Sequence, residues 1–361
     1  MYNIRDISKG LAKEERRGHF IKNNASQITC ALHESAIPVV CSVHRLVYRS
    51  CKMNAPYVDA HCHLVMSEDG FGENAHPYAC VDSTRCVMST NANDWEKLRK
   101  IEATDIVRSF GVHPWYCHLF SIGRESVSKR EHYESVLECK ERQEQLAIIE
   151  RLPDPIPLEK YIQEEYDDEL VGVIGEIGLD KLFRLPENGY FVHAKEPFRL
   201  TRVRVKLAHQ IAVFERFCQL AAQFDKPVSV HDVKCHGKLF EICTEILLPH
   251  EGVNVCLHSF TGSKEIISQQ WIRYFTEPRI FLSLSKYINF KSSEDGRALA
   301  VFVPNRCLLT ETDLPIDAVK PDELTNALSY VCEELTEALQ LGGLEATKQL
   351  IHTNFKRYLN R

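Results

Sequence analysis

The stretch Val171-Gly172-Val173-Ile174-Gly175-Glu176-Ile177-Gly178-Leu179-Asp180 decides the fold class. Its first half, 171–176, has the short, β-branched character of a strand buried among other elements. Glu176 breaks that character at the strand's end. A carboxylate inside so apolar a run costs several kcal/mol (roughly 2–7 for a polar group left without a partner) unless it is paired or holds a metal.

Runs of the same kind recur on both sides. Candidate strands span Tyr57–His61, Arg85–Ser89, Ile106–Gly111, Val171–Glu176, Pro227–His231, Val253–His258, Ile280–Ser285 and Cys307–Thr312. Helical segments fit between most of them, at Trp95–Glu102, Val203–Phe224, Gly237–Leu247, Lys264–Phe275 and Leu324–Leu339. Strand and helix in alternation imply a parallel sheet, and eight such units imply a closed (β/α)8 TIM barrel, α/β in class. No internal repeat beyond that unit is visible, and no linker divides the chain after residue 56. The expected architecture is a single domain with insertions after strands 3 and 4.

Those insertions are segments 117–168 and 181–202. The first is strongly charged, with a helix expected over Glu131–Glu144 and a stiff stretch at Pro153, Pro155 and Pro157. Segments that follow barrel strands lie on the catalytic face, so both are candidate lids or substrate-contacting loops.

Ligand-type residues fall at the strand ends. His61 and His63 stand two apart, and a period of two puts both on one face. His231 closes Pro227-Val228-Ser229-Val230-His231, and His258 opens His258-Ser259-Phe260-Thr261-Gly262. Asp313 follows the eighth strand in Thr310-Glu311-Thr312-Asp313-Leu314-Pro315. An His-x-His pair alone is equally well an ordinary turn. Four histidines and two carboxylates at the same end of five strands are a metal site. Mixed nitrogen and oxygen donors suit Zn²⁺, Mn²⁺ or another divalent ion, whereas an all-oxygen set would favour Mg²⁺. Two ions roughly 3.5–4 Å apart would clamp a phosphoryl group and acidify a water between them. The expected division is His61, His63 and Asp313 around one ion and His231 and His258 around the other. Glu176 bridges them, and Asp313 accepts the proton of the attacking water.

His113, in Gly111-Val112-His113-Pro114-Trp115, also points to the rim, and four histidines already suffice for two ions. It is read as a substrate contact. Lys195, Arg199, Arg202, Arg204 and Lys206 lie within twelve residues opposed only by Glu196. They are either a phosphate grip at the mouth or a solvated helix start. His19, His33, His44, His132 and His250 are expected on the surface.

The bulk numbers limit the alternatives. The chain has 361 residues, 44% hydrophobic and 26% charged, enough for a large core. A net charge of -6 provides no general electrostatic grip on nucleic acid, so such a substrate needs a local basic patch or bound metal. No apolar run approaches the roughly 20 residues that cross a bilayer. The 14 cysteines are scattered without a Cys-x-x-Cys pair and are expected to be reduced and mostly buried. With no signal-peptide core at the start, the expected location is cytoplasmic and/or nuclear.

Residues 1–54 differ from the rest, with Lys/Arg at nine positions against Asp6, Glu14, Glu15 and Glu34. They are expected to form a loosely attached extension; a mitochondrial transit segment is the weaker expectation. Met53 stands just before the first strand, and a chain starting there would lose nothing assigned to the barrel, which occupies 55–361.

The motifs together resemble those of the TatD-type metal-dependent deoxyribonucleases of the amidohydrolase-like barrel superfamily, over about residues 56–360. The resemblance rests on Asp59-Ala60-His61-Cys62-His63, Gly111-Val112-His113-Pro114, Gly175-Glu176-Ile177-Gly178-Leu179-Asp180, Pro227-Val228-Ser229-Val230-His231, His258-Ser259-Phe260-Thr261-Gly262 and Glu311-Thr312-Asp313-Leu314-Pro315. Gln210, Phe214 and Leu220 also fit. It implies divalent-metal hydrolysis of phosphodiester bonds in DNA, often 3′ to 5′. It implies metal binding by His61, His63, Glu176, His231, His258 and Asp313, and substrate contact by His113. Many members carry a basic residue two positions after the fifth-strand histidine. Here Asp232-Val233 intervene, and Lys234 lies one step further.

The insertion 117–168 is longer than compact members need. It resembles a fungal-type branch, some members of which are interaction partners of cell-cycle machinery, and makes the insertion a candidate protein-binding element. Two other functions compete. One is an amidohydrolase-type reaction on a small substrate, whose enzymes often place a carbamylated lysine where Glu176 stands. The other is a metal-binding scaffold without turnover.

Overall fold

The computed structural model describes residues 55–64, 83–123, 127–192 and 198–361. The expected extension, residues 1–54, lies outside the described residues, and so does Lys195. The eight barrel strands are β1 (Tyr57–Cys62), β2 (Ser83–Val87), β3 (Ile106–Phe110), β4 (Val171–Asp180), β5 (Val228–Val233), β6 (Val255–His258), β7 (Ile280–Ser285) and β8 (Leu308–Glu311). They pair in chain order from β1 to β8, every pair parallel.

The sheet nearly closes on itself. Between β8 and β1 side chains take over part of the ladder. Thr310 Oγ1 donates to the Val58 carbonyl at 2.6 Å. The Asp59 carboxylate accepts the Thr312 backbone N–H at 2.9 Å and its hydroxyl at 2.7 Å. Main-chain bonds resume beyond, from Asp313 N to the His61 carbonyl at 3.0 Å and from His63 N to the Leu314 carbonyl at 2.9 Å. Burial pushes the Asp59 carboxyl up to about 7, against the two bonds from Thr312.

Every residue of β6, β7 and β8 is buried, as expected of parallel strands covered by helices. Barrel helices run Ala92–Leu98 (α1), Leu207–Gln223, His236–Ile246, Ser293–Phe302 and Pro321–Ala338. Asn91 and Asp94 cap α1 reciprocally, satisfying donors that its first turn would leave open. Gln210 pins its helix to the end of β4, accepting the Asp180 N–H at 2.8 Å and donating to the Asp180 carbonyl at 3.0 Å. A last helix, Leu344–Tyr358, is tied to the barrel through Asn254 Nδ2, 3.0 Å from the Arg357 and Tyr358 carbonyls.

β4 continues four residues past the expected end at Glu176. Two close approaches permit this. Gly178 has φ +151°, and a Cβ there would stand 2.0 Å from the His231 carbonyl oxygen. At Gly111 a Cβ would meet the Gly175 carbonyl carbon at 2.6 Å.

The insertion after β3 departs from expectation. The single helix over Glu131–Glu144 is two, Lys129–Val136 and Arg142–Arg151, followed by Leu158–Glu165. Leu137–Glu138 between them pairs antiparallel with Arg204–Val205, just beyond the second insertion, a tertiary contact that overrides helix propensity. His132 is buried, not on the surface. Its Nε2 donates to the His118 carbonyl at 2.7 Å, His118 Nε2 to the Gly189 carbonyl at 3.0 Å, and His209 Nε2 to the Cys117 carbonyl at 2.9 Å. These imidazoles fasten the first insertion to the second and to the barrel helix Leu207–Gln223.

Every cysteine among the described residues is a free thiol, and all but Cys139 are buried. No helix among the described residues is long and apolar enough to cross a membrane.

Candidate metal centre

The two oxygens of Glu176 face two sets of imidazoles. Oε2 stands 3.3 Å from His61 Nε2 and 3.5 Å from His63 Nε2. Oε1 stands 2.8 Å from His231 Nδ1, 2.9 Å from His258 Nε2 and 3.2 Å from His113 Nε2. Asp313 Oδ1 joins the first set, 3.2 Å from His63 Nε2 and 3.9 Å from His61 Nε2. Donors at 2.0–2.1 Å around a tetrahedral ion are about 3.3 Å apart, so this spacing matches donors sharing an ion. Three overlapping groups have their ligand atoms all within 4.8 Å of one another: His61, His63 and Glu176; His113, Glu176 and His231; His61, His258 and Asp313. The chemistry of the donor set therefore fits divalent metal.

The six expected ligands are thus brought together. His113, expected to touch substrate, lies against the same Glu176 oxygen as His231 and His258. It belongs among the candidate ligands by position.

Burial opposes charge on Glu176, but the imidazoles of His113, His258 and His61 hold its carboxyl well below the usual carboxylate range. Burial likewise opposes charge on His231, yet the carboxylates of Asp180 and Glu176 raise it to about 9. His61 goes the other way, lowered by burial and by the neighbouring His258. Asp313 sits at φ 55°, the left-handed region, which Asp tolerates better than most residues. The peptide bond before Glu176 is cis.

Behind the ligands stand partners that sequence reasoning did not assign. Ser229 Oγ lies 2.9 Å from His61 Nδ1. Glu311 Oε1 lies 3.7 Å from His258 Nδ1, and the hydroxyls of Ser259 and Ser283 hold that carboxylate. Asp180 Oδ2 lies 3.6 Å from His231 Nε2. The signal was present: Asp180 is four residues beyond Glu176 and Glu311 two before Asp313, each on its partner's face at a period of two.

The expected phosphate grip is differently arranged. Arg199, expected to bind substrate, is a surface residue facing Glu187 Oε2 at 3.5 Å. Arg202 pairs with Glu141 at 2.8 Å, Arg204 donates to the Lys181 carbonyl at 2.8 Å, and Lys206 to the Ser135 carbonyl at 2.7 Å. Charges in such exposed positions find nearer partners on the insertions. Lys234 is exposed at the end of β5, at φ 59°. The bond from Lys181 N to the Val233 carbonyl, 3.1 Å, brings a second exposed lysine to the same corner. Asp232 turns to the following helix, accepting the Cys235 N–H at 3.1 Å and facing His236 Nδ1 at 2.6 Å. An aromatic group borders His113: Trp115 stacks on Phe183 (centroids 4.9 Å, planes 11° apart), and Phe191 meets it edgewise at 5.2 Å.

Comparison with known proteins gives the family. The profile of TatD related DNases matches residues 58–360. A protein of Saccharomyces cerevisiae named as an uncharacterized deoxyribonuclease is 47% identical over 316 residues, covering 84% of this chain and 98% of its own. The Cut9-interacting protein scn1 of Schizosaccharomyces pombe is 29% identical over 304 residues, 71% of this chain and 86% of its own. Among solved structures, the TatD homologue YjjV of Escherichia coli superposes with a TM-score of 0.54 at 19% identity, covering 86% of this chain and 100% of that one, a likeness of fold. The chain belongs to the TatD-related deoxyribonucleases, enzymes of the metal-dependent hydrolase class.

Proposed function

We propose that the enzyme hydrolyses phosphodiester bonds in DNA as a 3′-to-5′ exodeoxyribonuclease with two divalent ions. One observation carries the two-ion reading: Glu176 presents a separate oxygen to each histidine set. When bound, the ions would neutralise the phosphate's charge and acidify the attacking water.

Asp313 and Glu176 divide the remaining work. The Glu176 side chain is 3% exposed and that of Asp313 25%. Glu176 is therefore enclosed as a bridge, while Asp313 faces the side from which substrate and water arrive. Its hydrogen bond with His63 and the charges of His258 and His61 overcome burial and keep its carboxyl below the ordinary value, ready to accept a proton. Lys234, with Lys181 beside it, offers positive charge to the phosphates next to the scissile one. It stands in for the basic residue that relatives carry two positions after the histidine of β5. What supports DNA and the 3′ polarity is the family and its motifs. A second role, binding a protein through the 117–168 insertion, draws on the printed name of the fission-yeast relative.

Metal-stripped protein supplied with Mg²⁺, Mn²⁺ or Zn²⁺ and end-labelled single- and double-stranded DNA tests the reading. Stepwise shortening from the 3′ end is expected. Cleavage no greater than that of Asp313→Asn with every metal would end it.

A further inference from the structure

We propose that Asp180 is a positioning residue for His231, and that Trp115 clamps Asp180, so that the mouth of the site and one metal ligand are held as a unit. This rests on the metal-centre reading. His231 turns Nδ1 inward, 2.8 Å from Glu176 Oε1 and 3.3 Å from His258 Nε2. Nδ1 is thus the nitrogen offered to an ion, and a ligating nitrogen carries no proton. The ring's proton then sits on Nε2, which is buried with no hydrogen-bond partner. Asp180 Oδ2 faces it at 3.6 Å.

Asp180 has little freedom to face elsewhere. Its Oδ1 accepts the backbone N–H groups of Leu182 at 2.7 Å and Phe183 at 2.9 Å. Its Oδ2 accepts the indole N–H of Trp115 at 2.8 Å. Its own N–H and carbonyl are held by Gln210. The free lone pair of Oδ2 is left for His231. A shift of a few tenths of an ångström converts the present contact into the carboxylate–histidine–metal arrangement that fixes tautomer and ring direction. Of Ser229, Glu311 and Asp180, Asp180 is bonded to a partly exposed ring, because Trp115, stacked on Phe183, shares its oxygen.

The test titrates Zn²⁺ into the metal-free full-length chain by calorimetry for the wild type, Asp180→Asn, Trp115→Phe and the double variant. Asparagine keeps the bonds to Leu182 and Phe183 and removes the charge; phenylalanine keeps a ring and removes the indole N–H. Asp180→Asn is expected to weaken Zn²⁺ binding about 10- to 100-fold. Trp115→Phe is expected to weaken it a few-fold, with no added loss in the double variant, since both act through one oxygen. Wild-type affinity in Asp180→Asn overturns the positioning role, and additive losses overturn the clamp. Should Asp180→Asn not fold, unchanged Zn²⁺ affinity in Trp115→Phe overturns the proposal. A wild type that binds Zn²⁺ but cleaves no DNA would remove the nuclease reading alone. A wild type that binds no metal would remove both.

Discussion

The imidazoles of His61 and His258 lie face to face, their centroids 3.8 Å apart and their planes 9° from parallel. Two stacked, buried rings cannot both carry charge cheaply. In the metal-free protein the proton resides on His258, whose pKa is well above its ordinary value: burial opposes this, but Glu176 and Glu311 outweigh it. A metal ion must displace that proton, together with the one that His231 holds up to about pH 9. Zn²⁺ binding near pH 7.5 should therefore release protons, seen as a binding enthalpy that changes with the ionisation enthalpy of the buffer. Chelation should lower the thermal midpoint by about 5–10 °C relative to protein with metal at 100 times its Kd. Equal midpoints with and without metal would mean that the cluster holds no ion.

The two carboxylates should fail differently. Asp313→Asn leaves the Glu176 bridge in place, so metal content should fall little while kcat drops about 10²- to 10⁴-fold, the usual worth of a general base. Glu176→Gln removes the anion shared by both histidine sets, so both bound metal and kcat should fall. Metal analysis beside single-turnover kinetics separates the two patterns. Full metal in Glu176→Gln would show that Glu176 does not bridge.

Lys181 and Lys234 should act on binding rather than on chemistry. Replacing either by Ala is expected to raise KM with kcat nearly unchanged. Each loss should reduce the slope of log binding constant against log salt by about 0.7 on single-stranded DNA. Arg199→Ala, which breaks only the surface pair with Glu187, should leave that slope unchanged.

Much of this centre was legible because parallel barrel strands end on one rim, so His61, Glu176, His231, His258 and Asp313 could be placed from strand ends alone. The extent of β4 was not, since its last four residues depend on how closely Gly178 approaches His231. Nor was the break at Leu137–Glu138, whose partner lies more than 60 residues away in sequence at Arg204–Val205. The basic run from Arg199 to Lys206 pointed to phosphate only because its partners, Glu187, Glu141 and the Ser135 carbonyl, belong to segments whose folding no local pattern specifies. Counting donors places His113 outside the ligands; its distance from Glu176 is a property of how β3 and the loop after it sit on β4.

Gly178→Ala probes the close approach directly. The added methyl meets the His231 carbonyl at a φ that L-residues avoid. β4 and β5 must then separate at the point where both carry ligands. A loss of about 2–3 kcal/mol in unfolding free energy is expected, with weaker metal binding. A stable variant with intact metal affinity would show that the two strands can spread without moving His231.

The histidine fastening of the insertion makes an acid-labile joint, and its sign follows from which state takes up protons. Burial lowers His118 to about 3 and His209 to about 4, and their hydrogen bonds to carbonyls only partly offset it. The unfolded chain titrates near the ordinary 6.5. Between those values the unfolded state binds more protons, so stability rises with pH there. The contribution is complete above about pH 6.5 and is lost as pH falls toward 4. At pH 5 the loss from His209 alone is about 2 kcal/mol. His209→Gln keeps a donor for the Cys117 carbonyl and removes the titration. Its unfolding free energy by urea denaturation should therefore fall less than that of the wild type between pH 7.5 and 5, by about that amount. Identical pH dependence in the two proteins would mean that His209 titrates alike in the folded and unfolded chains, and that its burial adds no acid lability.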